Sequence, residues 1–218
     1  MTNFQEARTA MVDCQVRPSD VTKYPIIEAL LAMPREDFVP AAKRSVAYAG
    51  EHIALSSERI LLDARTFSKM LDGLNIQPDE LVLDVACGLG YSTAIIAKMS
   101  EAVVAIESDA DLAQKASDIL MEHAVDNAVV LQGDLTQGNA KNGPYDVIIL
   151  QGAIETLPDT LADQLKDGGR ICAIFSDGNL GECRIGHKSH GRISWRMDFN
   201  ASAPTLTGFK LKPVFNFA

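Results

Sequence analysis

The rhythm of hydrophobic and polar positions changes near residue 80. Before it, apolar residues recur at helical spacing in short stretches. Phe4, Ala7, Ala10, Met11 and Cys14 put one apolar stripe on a helix over residues 3–14. The run from Pro25 to Met33 predicts a second helix. Ser19 or Thr22 is its expected cap, and Pro25 suits its first turn, where a missing N–H costs little. Pro34 ends it. Residues 35–63 have no clear period and read as a helix-poor layer wrapped on something else. Phe67, Met70, Leu71 and Leu74 predict a short helix over 66–74.

From Glu80 onward strand and helix alternate. LVLDVA (81–86) leads through CGLG into a helix over 91–99, and AVVAIE (102–107) into a helix over 109–124. AVVLQ (128–132) runs into a polar loop, DVIIL (146–150) precedes a helix at 159–165, and RICAIF (170–175) follows. Such continuous apolar strands belong in a parallel sheet covered on both faces. Beyond Phe175 the helices stop. Segments 181–187 and 192–199 alternate around Lys188–Gly191, an antiparallel hairpin closing one edge. Residues 208–217 add one more strand or pack as a tail. The expected fold is therefore α/β: a three-layer, doubly wound, mostly parallel sheet with an antiparallel C-terminal hairpin. Residues 1–75 form an N-terminal helical and irregular extension packed on a core of 76–218.

Composition narrows the class. Of 218 residues 47% are apolar and 22% charged, as in an ordinary globular domain. Lys and Arg number 20 against 29 Asp and Glu, a net charge of −9. That disfavours a nucleic-acid partner, which needs a basic surface. No apolar run reaches the length of a membrane span, and MTNFQEARTA lacks a basic stretch followed by an apolar one. Cys14, Cys87, Cys172 and Cys183 are scattered, with no C-x-x-C pair, which reads as reduced thiols in a cytoplasmic protein. The oligomeric state is left open.

The chemistry gathers at the ends of three strands. Asp84–Val85–Ala86–Cys87–Gly88–Leu89–Gly90 leaves a strand and enters a helix. Its glycines permit a tight turn and close approach of a ligand to bare backbone. Glu107, followed by Ser108, closes the next strand, where an acid can accept both hydroxyls of a ribose. Gly133–Asp134 closes the third, at the place of an adenine edge. A dinucleotide loop wants a third glycine where Thr93 stands, and Asp84 beside the loop would repel a pyrophosphate. The same acid suits the cationic amino-acid end of S-adenosylmethionine. An ordinary strand–helix turn is the competing reading of the glycines. Cys183, His187 and His190 straddle the hairpin turn without a fourth ligand, so no metal is expected. Cys87 reads as a small packing residue.

The motif DVACGLGYSTA resembles motif I of the class I S-adenosylmethionine-dependent methyltransferases. PREDFVP (34–40) with Ala47–Tyr48, then Gly133–Asp134, GPYDVIIL (143–150) and LPDTLADQLKDGGRICAIF (157–175) resemble the protein-L-isoaspartate O-methyltransferase family, in its order. The resemblance implies a Rossmann-like methyltransferase fold and transfer of a methyl group to a carboxylate. It implies that Asp84, Gly88 and Gly90, with Ala86 and Cys87, hold the methionine end and the loop. Glu107 and Ser108 would hold the ribose, and Gly133 and Asp134 the adenine. The acceptor would be a protein, a peptide or a small carboxylate, with no nucleic acid and no membrane. One segment departs. Where the family carries a Thr-Ile-Ser-Gln-Pro-like stretch, this chain has Ile60–Leu61–Leu62–Asp63–Ala64. Leucine cannot donate to a carboxylate and Asp63 would repel one. Ser56 and Ser57 are candidates to substitute for the missing hydroxyls, or else form a solvated turn. The departure predicts weak or absent isoaspartyl turnover with cofactor binding intact, and Leu62→Ser is expected to raise that turnover if the acceptor pocket otherwise keeps the family's shape. No catalytic residue is assigned. A divergent methyltransferase with another acceptor and a non-catalytic S-adenosylmethionine-binding or partner-binding protein remain as alternatives.

Overall fold

The computed structural model describes residues 3–177 and 180–211. Helix α1 (Phe4–Met11) is capped by Asn3, widens into a π turn over Val12–Val16 and then tightens into a short 3-10 turn over Arg17–Ser19. Helix α2 (Tyr24–Ala32) carries Pro25 in its first turn as expected, but Lys23 precedes it without a side-chain cap. Ser19 turns back instead, its Oγ donating to the Gln15 carbonyl at 2.8 Å. The left-handed Asp20 separates it from the helix.

The stretch without a period holds two 3-10 turns, Arg35–Phe38 and Ala41–Val46, and a small hairpin of β1 (Ile53–Ala54) and β2 (Ile60–Leu61). Helix α3 (Ala64–Leu74) begins two residues earlier than expected, because Asp63 caps it: Oδ1 accepts the Thr66 amide at 2.8 Å.

The main sheet follows: β3 (Leu81–Val85), α4 (Tyr91–Ala97), β4 (Ala102–Glu107), α5 (Ala110–Glu122), β5 (Ala128–Gln132), β6 (Tyr145–Ile154), α6 (Asp159–Gln164), β7 (Leu165–Asp177), β8 (Leu180–Ser189) and β9 (Arg192–Asn200). The strand order is β5-β4-β3-β6-β7-β8-β9. The first five strands are parallel, and β8 and β9 add on antiparallel. Strands β6 and β7 outrun their apolar cores. Residues beyond Leu150 pair onward with Ile174 and Phe175, and Ala153 bridges to Thr205. That support comes from distant chain, which local periodicity does not carry. The tail expected over 208–217 lies partly outside the described residues; Gly208–Leu211 form no strand, and Phe209 is buried.

Adjacent strand residues point to opposite faces. Val82, Val103, Val147 and Cys172 face one core with the N-terminal segment, α3, α4 and α5. Leu83, Val104, Ile148 and Ile171 face another with Leu161 of α6 and with Leu206 and Phe209. The chain leaves β3 toward β4 on one side and reaches β6 on the other. The carboxyl ends of these three strands thus flank a topological switch point, where open sheets of this kind bind ligands. Among the described residues no helix is long and apolar enough to cross a membrane.

Candidate active site

The loop after β3 is shaped by three left-handed residues, Ala86 (φ 65°), Gly88 (φ 59°) and Gly90 (φ 87°). Two are glycines, which take this conformation freely. Ala86 is not, and bears the steric cost of its Cβ. The amides of Ala86 and Cys87 both donate to the Ile106 carbonyl, at 2.8 and 3.3 Å, which ties the loop to the end of β4.

Asp84 is wholly buried. Its Oδ1 accepts from Gln151 Nε2 at 2.8 Å, and its Oδ2 from Ser92 Oγ and Thr93 Oγ1, both at 2.7 Å. Burial pushes its carboxyl above the usual range, against the pull of these donors. Asp84 therefore joins the end of β3 to the start of α4 and to β6. Cys87 is also buried, and its thiol is pushed well up, by burial first and then by the charges of Asp84 and Glu107. It packs in the loop.

Glu107, likewise buried, gathers the next cluster. Its Oε2 accepts the Gly88 amide at 2.9 Å, and its Oε1 those of Ser108 and Asp109 at 2.8 and 3.1 Å. The Ser108 hydroxyl adds a long bond to Oε1 at 3.5 Å, and Arg59 completes the set: its Nε lies 3.0 and 3.1 Å from the two carboxylate oxygens, while its Nη2 donates to Ser108 Oγ at 2.6 Å. On the same hairpin, Leu55 sits on the glycine loop: a Cβ at Gly88 would meet Leu55 Cδ1 at 2.5 Å. Gly133 and Asp134 line the open part of the site, a cavity of about 600 Å³ shared with Ser108, Thr136, Thr207 and Gly208. Asp134 accepts from the Thr136 amide and hydroxyl, both at 2.8 Å, which holds the turn.

The structure thus brings Gly88, Glu107 and Ser108 into one cluster beside Gly133 and Asp134, and sets Asp84 in a second cluster behind the loop. Ser56 and Ser57 fall at the hairpin turn, where Ser56 Oγ accepts the Glu58 amide. Leu62 is 1% exposed and belongs to the core that includes Phe67, Met70 and Tyr91. Its carbonyl accepts from Arg35 Nη2 at 2.6 Å. Arg35 itself is buried, donates also to the Ala47 carbonyl at 2.8 Å and lies 4.9 Å over the Tyr91 ring. The PREDFVP segment is thereby a structural clamp between the N-terminal layer and α4. Cys183 packs 3.4 Å from Cys172 in the core, and His190 lies at the β8–β9 turn beside Ser189.

Arg59, Leu55, Gln151, Ser92, Thr93 and Thr207 were not among the sequence candidates. Ser92 and Thr93 had a local signal, two hydroxyls at the start of the helix after the loop. Arg59 and Leu55 had none, because only the folding of the hairpin brings them over β3 and β4. The donor set fits S-adenosylmethionine in kind: bare backbone at Gly88, a carboxylate ringed by amides for a diol, and an open cavity beyond Asp134. The ribose side of that set is filled by Arg59.

The family model for protein-L-isoaspartate(D-aspartate) O-methyltransferase matches residues 7–197. The protein-L-isoaspartate O-methyltransferase of Koribacter versatilis is 30% identical over 193 residues, 88% of this chain and 87% of that one. That of Syntrophus aciditrophicus is 33% identical over 171 residues, 78% of each. Among solved structures, a candidate protein-L-isoaspartate O-methyltransferase of Plasmodium falciparum, in complex with S-adenosyl-L-homocysteine, matches with a TM-score of 0.80. It is 19% identical, over 95% of this chain and 99% of that one.

Proposed function

The chain belongs to the protein-L-isoaspartate(D-aspartate) O-methyltransferase family, and from that premise we propose that it methylates isoaspartyl carboxylates on proteins or peptides, using S-adenosylmethionine. The observation that carries the cofactor is the Glu107 carboxylate at the switch point, set among the amides of Gly88, Ser108 and Asp109 and next to the cavity of Gly133 and Asp134.

When bound, S-adenosylmethionine supplies a methyl group on a sulfonium that leaves as a neutral sulfide. The chain's part is to bind, align and exclude water. Glu107 would accept the ribose hydroxyls, the backbone at Gly88 would admit close contact, and the cavity beside Asp134 would take the base. A carboxylate acceptor is ionised at neutral pH and needs no general base. Alignment alone offers about 7–11 kcal/mol in favourable cases. Four unpaired cysteines support a reducing compartment, the cytoplasm.

The test is transfer of labelled methyl to an isoaspartyl peptide against its aspartyl isomer. Slow labelling of the isoaspartyl peptide alone is the expected result. A second reading, a different carboxylate or other acceptor, is favoured by one observation: Leu62, at the place of the family's hydroxyl, lies in the core. Cofactor binding without labelling of either peptide would select that reading.

A further inference from the structure

We propose that the β1–β2 hairpin is a latch on the cofactor site, with Arg59 as an internal competitor for the ribose. The proposal rests on the cofactor reading above and concerns how the site is controlled.

Arg59 and Glu107 form an ion pair whose side chains are 2% and 0% exposed. A carboxylate offers about four acceptor positions. Three backbone amides and the Arg59 Nε, with a longer bond from the Ser108 hydroxyl, fill those of Glu107. A diol can bond to both oxygens only where the guanidinium has withdrawn. Leu55 blocks the same side by packing on the Gly88 backbone.

The two blocking side chains move as a unit. The Leu55 and Ser56 amides both donate to the Arg59 carbonyl, at 2.8 and 3.2 Å, so the turn fixes one to the other. The strands behind it are two residues each, paired Ile53 to Leu61 and Ala54 to Ile60. Outside the Arg59 head group, the hairpin is held by Glu58 Oε2, which accepts from Thr207 Oγ1 at 3.1 Å at the exposed rim of the cavity, and by Lys43 Nζ, which donates to the Ala54 carbonyl at 2.8 Å, while Ile53 and Leu61 root its strands in the core. The turn over residues 55–59 can therefore swing out on these rooted strands without unfolding the main sheet. The cavity beside Asp134 stays open while the latch is closed. An adenine ring can therefore enter first, and the ribose then displaces Arg59.

A closed latch lowers apparent affinity by the fraction of molecules that are open. The deciding measurement is calorimetric titration of the full chain with S-adenosylhomocysteine, for wild type, Arg59→Gln and Leu55→Ala. Arg59→Gln is expected to bind about tenfold tighter than wild type, as a site about one-tenth open would. Leu55→Ala is expected to tighten binding in the same direction. Equal or weaker binding by folded Arg59→Gln overturns the latch and leaves the methyltransferase reading intact. Absence of binding by all three folded proteins overturns both. Should the variants fail to fold, trypsin on the wild type decides. The bond after Arg59 is shielded while the latch is closed, so saturating S-adenosylhomocysteine should speed cleavage there, and unchanged cleavage overturns the proposal.

Discussion

Gln151 Nε2 donates to Asp84 Oδ1 at 2.8 Å, joining β6 to β3 beneath the glycine loop. Both residues are buried, so the bond is made where water cannot replace it. Gln151→Leu removes the donor and leaves one carboxylate oxygen unsatisfied, at a cost of about 1–3 kcal/mol. Chemical denaturation should show that loss. Gln151→Glu should cost more, because it sets a second carboxylate against the first.

The same cluster marks where the sequence is legible and where it stops. The strand ends at Ala86, Glu107 and Gln132 follow from continuous apolar runs, and the structure ends β3, β4 and β5 within a residue of the expected positions. The helices over 91–97 and 110–122 follow from their spacing in the same way. What the pattern does not carry is contact between elements far apart in the chain. Arg59 meets Glu107 across 48 positions, and Gln151 meets Asp84 across 67. Neither polar residue shows a local period. Asp63, read as a carboxylate facing an acceptor, is a helix cap, a role its position just before the apolar stripe allowed but did not require.

Ala86 holds a left-handed conformation at φ 65°, between the strand and Gly88. A non-glycine residue there costs about 1–2 kcal/mol relative to the right-handed region. Glycine relieves that strain but gives up unfolded-state order and a buried methyl group. Ala86→Gly is therefore expected to stabilise the chain by only about 0.5 kcal/mol. A small rise in the melting temperature is the measurement. A fall would mean that the methyl group's packing outweighs the strain.

Leu62→Ser cannot supply a hydroxyl to an acceptor while the side chain sits in the core. Its partners there are apolar, and its carbonyl is already committed to Arg35. The substitution removes buried methyl groups and leaves a hydroxyl to be satisfied, for a loss of about 3 kcal/mol. The expectation from sequence, that this variant gains isoaspartyl turnover, thus gives way to a stability defect. Urea unfolding measures it, and the isoaspartyl peptide assay should show no gain.

Thiol labelling separates the four cysteines. Cys14 is exposed, whereas Cys87, Cys172 and Cys183 are buried. Burial, with Asp84 and Glu107 adding charge, holds the Cys87 thiol in its protonated form well beyond the ordinary range. Raising the pH to about 8.5, where a free thiol is half ionised, should not activate it. Iodoacetamide at that pH should alkylate Cys14 alone among the cysteines of the native chain, and all four in denaturant. Tagging of native Cys87 would show that the loop opens.

The Arg59–Glu107 pair should be strongly coupled in stability. Both groups are out of water, so removing either leaves the other's charge buried without its partner, at about 3–5 kcal/mol. Glu107→Ala strands a guanidinium that keeps only Ser108 Oγ and the Glu58 carbonyl as acceptors. Arg59→Ala strands a carboxylate that keeps three amides, and so should cost less. The double variant removes both charges, and its loss should fall short of the sum of the singles by about 2 kcal/mol or more. Four denaturation curves complete the cycle. Simple additivity would mean that the pair is solvated rather than closed. With Glu107 gone, S-adenosylhomocysteine should also lose its ribose anchor, so the double variant should bind no better than Glu107→Ala even though Arg59 no longer competes.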